Sequence, residues 1–90
     1  MNKIRRKAID DVIKRLAEVQ SEMESILEDI ESIKNEEQEY LDNMPENLQE
    51  SERYSMAEDA VSNMEDAWNS LDDLKDQIDD VSSSLEEAQA

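Results

Sequence analysis

The 90-residue chain contains no cysteine, histidine, glycine or phenylalanine, and a single proline, Pro45. Each absence removes a class of function. Without glycine there is no phosphate-cradling loop, nucleotide fingerprint or left-handed hairpin turn. Without cysteine and histidine the usual ligands of zinc, haem and iron–sulfur centres are missing, as are the usual nucleophile and general base of covalent catalysis. Carboxylates and hydroxyls are what remain, so the chain is expected to be no enzyme and to carry no cofactor. Long apolar runs are absent too. The basic start, Met1 to Lys7, leads into a charged amphipathic stretch, and nothing approaches the ~18 consecutive apolar residues of a membrane span. The expectation is a soluble, cytoplasmic protein without a membrane partner.

Charge of one sign is abundant. Asp and Glu number 26 against 9 Lys and Arg, giving a formal net charge of -17. Low hydrophobicity with high net charge is a signature of disorder, because too little apolar surface is buried to offset chain entropy. The spacing of the apolar residues argues against that. Placing Ile9 at position a of a heptad puts Ile9, Leu16, Met23, Ile30, Glu37 and Met44 at a, and Val12, Val19, Ile26, Ile33 and Tyr40 at d. Glu37 is the one break. The pattern predicts a helix from about residue 3 to 43, roughly 60 Å long at ~1.5 Å per residue.

A second seam follows, with Ala57, Met64, Leu71, Ile78 and Leu85 at a and Ala60, Ala67, Leu74, Val81 and Ala88 at d. Pro45 disfavours helical geometry at Met44 and ends the first helix nearby. A turn over about 44–51 leads to a second helix over about 52–88. Its start is marked either by Ser51 as N-cap or by the S-x-x-E pair Ser55 and Glu58, and capping chemistry does not choose between them. Two long helices with a short connection lie antiparallel. The expected fold is therefore all-α: one domain, an antiparallel two-helix hairpin, dimerising into a four-helix bundle. Pairing residues whose numbers sum to 97 makes nearly every layer apolar and places Glu37 against Ala60. Charge agrees, because Met1 to Arg15 carries a net +4 and the remainder -21, so antiparallel packing brings opposite charges together.

Two surfaces are candidates for binding. The first is acidic. After each a residue of the second helix comes a carboxylate pair: Glu58 and Asp59, Glu65 and Asp66, Asp72 and Asp73, Asp79 and Asp80, Glu86 and Glu87, with Asp76 between. The pairs recur every ~10.5 Å on the side expected to face away from the seam. Outer coiled-coil positions are commonly charged for solubility, but such faces normally mix signs for ~0.2–0.5 kcal/mol per i,i+4 pair, whereas these carboxylates repel. A single-sign rod with one carboxylate per ~2.3 Å compares with B-DNA's one charge per ~1.7 Å. Glu58, Asp59, Glu65, Asp66, Asp72, Asp73, Asp76, Asp79 and Asp80 are thus the candidate contacts to a basic protein surface, such as that of a nucleic-acid-binding protein. Direct binding of nucleic acid is not expected. A specific metal site is not expected either, because no glycine-turned loop presents converging oxygens.

The second surface is apolar. Position e holds Ile13, Leu27 and Leu41 in the first helix and Tyr54, Val61 and Trp68 in the second, whereas the g rows are polar. In an antiparallel pair the two e rows flank one side of the seam. Either they thicken the hairpin's own core, or Ile13, Leu27, Leu41, Val61 and Trp68 form a free edge for a second copy or another partner. A lone indole beside a two-helix seam favours the free edge.

The turn segment Pro45-Glu46-Asn47-Leu48-Gln49-Glu50-Ser51-Glu52-Arg53, with the Asn43-Met44 step before it and an acidic helix after it, resembles small uncharacterised acidic proteins of bacteriophages and prophages. Those relatives carry glycine after Ser-Glu-Arg where this chain has Tyr54. The resemblance implies no activity; it implies a setting in which short acidic proteins inhibit host or defence proteins, CRISPR nucleases among them. A structural scaffold or assembly factor acting through the apolar edge is the alternative. A secreted WXG-type hairpin fits less well, since Asn69 and Ser70 follow Trp68 and no glycine is present.

Overall fold

The structure, a computed structural model, describes residues 1–89. Helix α1 runs Lys3–Asp42 and helix α2 runs Glu52–Ala88, joined by a turn that contains a single 3-10 turn, Glu46–Leu48. The two helices pack along one another, and no strand occurs among the described residues. The molecule is a rod of 70 × 15 × 13 Å with a radius of gyration of 20.3 Å. A compact chain of this length would have a radius of gyration of ~12 Å. An all-helical hairpin is therefore the architecture, with α1 ending one residue before the bound expected from the heptads.

Local chemistry sets the ends. Asn2 caps α1, its side chain accepting from the Arg5 backbone N–H at 2.8 Å. Asn43 closes α1 in right-handed geometry, its N–H bonding to the Glu39 carbonyl, and Pro45 then holds the chain extended. The turn is made without any positive φ, which explains how a glycine-free chain reverses direction: the 3-10 turn takes the place of a left-handed residue. Ser51 caps α2, with its hydroxyl accepting from the Tyr54 N–H at 3.3 Å. Of the two possible starts, Ser51 is the one used.

Register follows from the polar contacts between the helices. Gln20 donates to the Lys75 carbonyl and to Asp79, Lys75 to Glu24, Gln89 to Asp10, and Lys34 lies 4.0 Å from Glu65. The paired numbers sum to 99 in four cases and 95 in one, bracketing the expected 97.

The seam itself is rotated from the expected one. The less exposed residues of α1 are Ile9, Ile13, Leu16, Gln20, Met23, Leu27, Ile30, Lys34, Glu37 and Leu41, which are positions a and e. In α2 the same a and e rows turn inward, from Tyr54, Ala57 and Val61 through Trp68 and Leu71 to Leu85. Leu27, Leu41 and Val61 are 3%, 5% and 8% exposed, whereas Ile33, Leu74 and Val81 of the d rows are 55%, 50% and 49% exposed. Bulk explains the choice. Three of the five d residues of α2 are alanines, so closing on d would bury little, while closing on e buries parts of Tyr54 and Trp68 and all of Val61.

Candidate functional site

The apolar edge expected at position e is not free. Leu27, Leu41 and Val61 lie in the hairpin's own core, and Ile13 and Trp68 are half-buried along the same line. A helix carrying apolar residues at a, d and e has a face too wide for one neighbour to cover. With e committed to the hairpin, the uncovered row is d. The Trp68 indole is accommodated by the rotation, although its Nε1–H finds no acceptor among the described residues.

Rotation also decides which rows flank the seam. Viewed down each helix, the a/e seam has d on one side and b on the other, and antiparallel pairing puts the two d rows on the same side of the rod. Val12, Val19, Ile26, Ile33 and Tyr40 of α1 are all exposed there, as are Ala67, Leu74, Val81 and Ala88 of α2. The neighbouring g row of α2 is uncharged throughout: Met56, Asn63, Ser70, Gln77 and Ser84. In a chain with 39% charged residues, this side of α2 carries no charge from Met56 to Ala88 at d and g.

Near the turn the same side opens into a groove of about 880 Å³ walled by Ile33, Tyr40, Met56, Ala57 and Ala60 and rimmed by Glu36, Glu37, Glu52 and Arg53. Glu37, the break in the a row, sits half-buried in this groove. Among the described residues neither Glu37 nor Arg53 takes part in an ion pair. A contiguous groove of about 740 Å³ continues past Tyr40 to Met44, Pro45 and Leu48.

The opposite flank is where four of the nine acidic candidates lie. Glu65, Asp72 and Asp79, all at position b, face the seam's edge: Lys34 approaches Glu65, Lys75 lies 3.5 Å from Asp72, and Gln20 donates to Asp79 at 2.8 Å. Lys75 also donates to Glu24 at 2.6 Å. That hydrogen bond, with the Glu24 and Asp72 charges adding and desolvation opposing, holds the Lys75 ammonium protonated above the usual lysine value. So Glu65 and Asp79 contact the facing helix and Asp72 pairs with Lys75 of its own helix at the seam's edge, rather than facing away from it as expected. Glu58 shares this flank, exposed and with no ion pair or side-chain hydrogen bond among the described residues.

Asp59, Asp66, Asp73 and Asp80 at c, together with Asp76 at f, do face away. Each is exposed, and none has an ion pair or side-chain hydrogen bond among the described residues. They form a row along α2 with a ~10.5 Å repeat. Across the rod's 70 Å length the 26 carboxylates average one per ~2.7 Å, more dilute than the sequence estimate but still comparable with duplex DNA. No group of three or more carboxylates among the described residues is placed to hold a metal ion, and no helix among them is long and apolar enough to cross a membrane.

The residues that sequence reasoning missed are the d rows as a surface and Glu24, Lys34 and Lys75 as the clamp on the seam. The signal was present in the pair of helices: at a register sum near 97–99 the polar residues at e (Gln20, Lys34, Lys75, Gln89) fall beside b carboxylates of the facing helix (Asp79, Glu65, Glu24, Asp10), which they reach only if e faces inward. No family model, curated protein or solved structure matches the chain.

Proposed function

We propose that the protein is a non-enzymatic binding protein whose outward row of α2 carboxylates occupies a basic surface on a partner protein, of the kind that binds nucleic acid. The observation that carries this reading is the row Asp59, Asp66, Asp73, Asp76 and Asp80: single-signed, exposed and without partners among the described residues. A row whose repulsion nothing in the hairpin relieves gains stability from a cationic surface, and a rod of this charge density attracts one with fast, salt-sensitive association. In the phage setting suggested by the Pro45 to Arg53 segment, such a protein acts as an inhibitor of a host or defence nuclease by taking the place of its nucleic acid.

Self-association belongs to the same proposal. The exposed d rows favour a homodimer of hairpins, a four-helix bundle, as the working form. They also favour a second reading, a scaffold whose function is assembly alone and whose carboxylates only keep it soluble. The test is a comparison of the parent with a variant carrying Asn at Asp59, Asp66, Asp73, Asp76 and Asp80. Both are used to capture proteins from a bacterial lysate and eluted with a salt gradient. Retention of nucleic-acid-binding proteins by the parent, released early in salt and absent from the Asn variant, supports the inhibitor reading. Equal retention by both variants refutes it and leaves assembly.

A further inference from the structure

We infer that the d-row face is closed by a second copy of this chain running antiparallel to the first, with Arg5 of each copy entering the turn-end groove of the other. The inference rests on the reading that hairpins pair, and it adds the face, the orientation and the contact; it is independent of what the outward carboxylates bind.

The surface requires a cover of this size. The chain exposes 6854 Å², whereas a compact monomer of 10.4 kDa exposes ~5,400 Å². The d face, about 60 Å long and about as wide as the 13–15 Å rod, offers roughly 850 Å² per copy, or ~1,700 Å² in a pair, within the range of stable specific interfaces. An occupant matching it must be straight, equally long and apolar along its length. The same face of a second hairpin meets each requirement.

Charge sets the orientation. Residues 25–73, the half nearer the turn, carry sixteen carboxylates against Lys34 and Arg53, net -14; the half containing both ends of the chain carries a net -3. A parallel pair stacks the two -14 halves on each other, and an antiparallel pair places each against a -3 half. Sequence position then gives the contacts. With a twofold axis perpendicular to the rod, α1 lies on α1 and α2 on α2. The d row of α1 continues outward to Arg5, exposed at the open end. Pairing that row with itself puts Arg5 beside the second copy's Tyr40, Val12 beside Ile33 and Val19 beside Ile26. Arg5 thereby reaches the groove rimmed by Glu36 and Glu37, where three carboxylates stand against one guanidinium. Arg15 falls opposite the second copy's Asp29. On α2, Leu74 lies at the centre of its row and meets Leu74, while Ala60, Ala67 and Ala88 allow the backbones to approach closely.

The chain has no cysteine, so introduced thiols report geometry without background. Under mild oxidation L74C alone should form a disulfide-linked dimer, and a mixture of V12C with I33C should form one that neither forms alone. A parallel pair puts α1 on α2, so it gives a product from mixed I26C and L74C and none from L74C by itself; that result overturns the orientation. A dimer that cross-links at none of these positions overturns the face. An uncross-linked parent that sediments as a monomer refutes pairing itself, whatever the thiols do. Arg5→Glu should weaken dimerisation at least tenfold at low salt while helicity is unchanged, and an unchanged dissociation constant removes Arg5 from the contact.

Discussion

Removing three carbons from Leu27 and from Ile33 separates the two seams. Both residues lie in the middle of α1 and both belong to apolar rows, but Leu27 is 3% exposed and Ile33 55%. At ~0.8 kcal/mol per buried methylene, Leu27→Ala removes ~2.4 kcal/mol of transfer energy, and a shallow cavity in an open two-helix seam brings the loss to ~2–3 kcal/mol. Ile33→Ala removes carbons that are already more than half in water, a loss of ~1 kcal/mol, partly offset by the ~0.4 kcal/mol helix-propensity gain of alanine. The difference of ~1.5–2 kcal/mol is read as the shift in urea midpoint at unchanged m, followed by circular dichroism at a concentration where the chain is monomeric. Equal losses, or a larger one at Ile33, would refute the a/e seam and restore d to the hairpin's core.

Three other substitutions test separate parts of the fold. Ser51→Ala should cost about 1 kcal/mol by removing the α2 cap, and Ser55→Ala much less, both measured by urea unfolding. Lys75→Gln should lower the urea midpoint at pH 8. Because the Lys75 value is raised in the folded state, the stability it contributes is present below 10.5 and lost as pH rises through the folded value, so parent and variant should converge above that pH. A gap that persists at high pH would mean packing rather than charge. Glu37→Leu should stabilise the monomeric hairpin by up to ~1 kcal/mol, since a half-buried carboxylate without a partner carries a desolvation cost, while weakening dimerisation; a loss in the monomer would reveal an internal partner.

The helices, the turn and the approximate register were legible from the sequence because each depends on local or periodic features. The heptad steps mark two helices and Pro45 ends the first; the start of the second was narrowed to Ser51 or Ser55, and the structure uses Ser51. The rotation of the seam was not legible from hydrophobicity alone. Row d of α1 is apolar at every position from Val12 to Tyr40, while row e includes Gln20 and Lys34, so apolar content selects d. Two other quantities decided otherwise: the volume available in α2, where d is mostly alanine and e holds Tyr54, Val61 and Trp68, and the reach of Lys34, Lys75, Gln20 and Gln89 to b carboxylates on the facing helix. These are properties of the pair, not of either helix. The acidic candidates divided for the same reason: the b row was drawn to the seam's flank and the c row was left outside. That the most apolar row of α1 is the one left exposed is the strongest sign that the hairpin is half of a larger core.

Sedimentation equilibrium of the parent and of a variant carrying Gln at Ile26 and Leu74 tests that claim most directly. Both residues are exposed in the hairpin, 39% and 50%, so the variant keeps its a/e seam and its helicity. The account predicts a parent of twice the 10.4 kDa chain mass at micromolar concentration and a helical variant of 10.4 kDa. A parent that remains at the single-chain mass at ~100 µM, where an interface of ~1,700 Å² should be occupied, or a variant as dimeric as the parent, would contradict it.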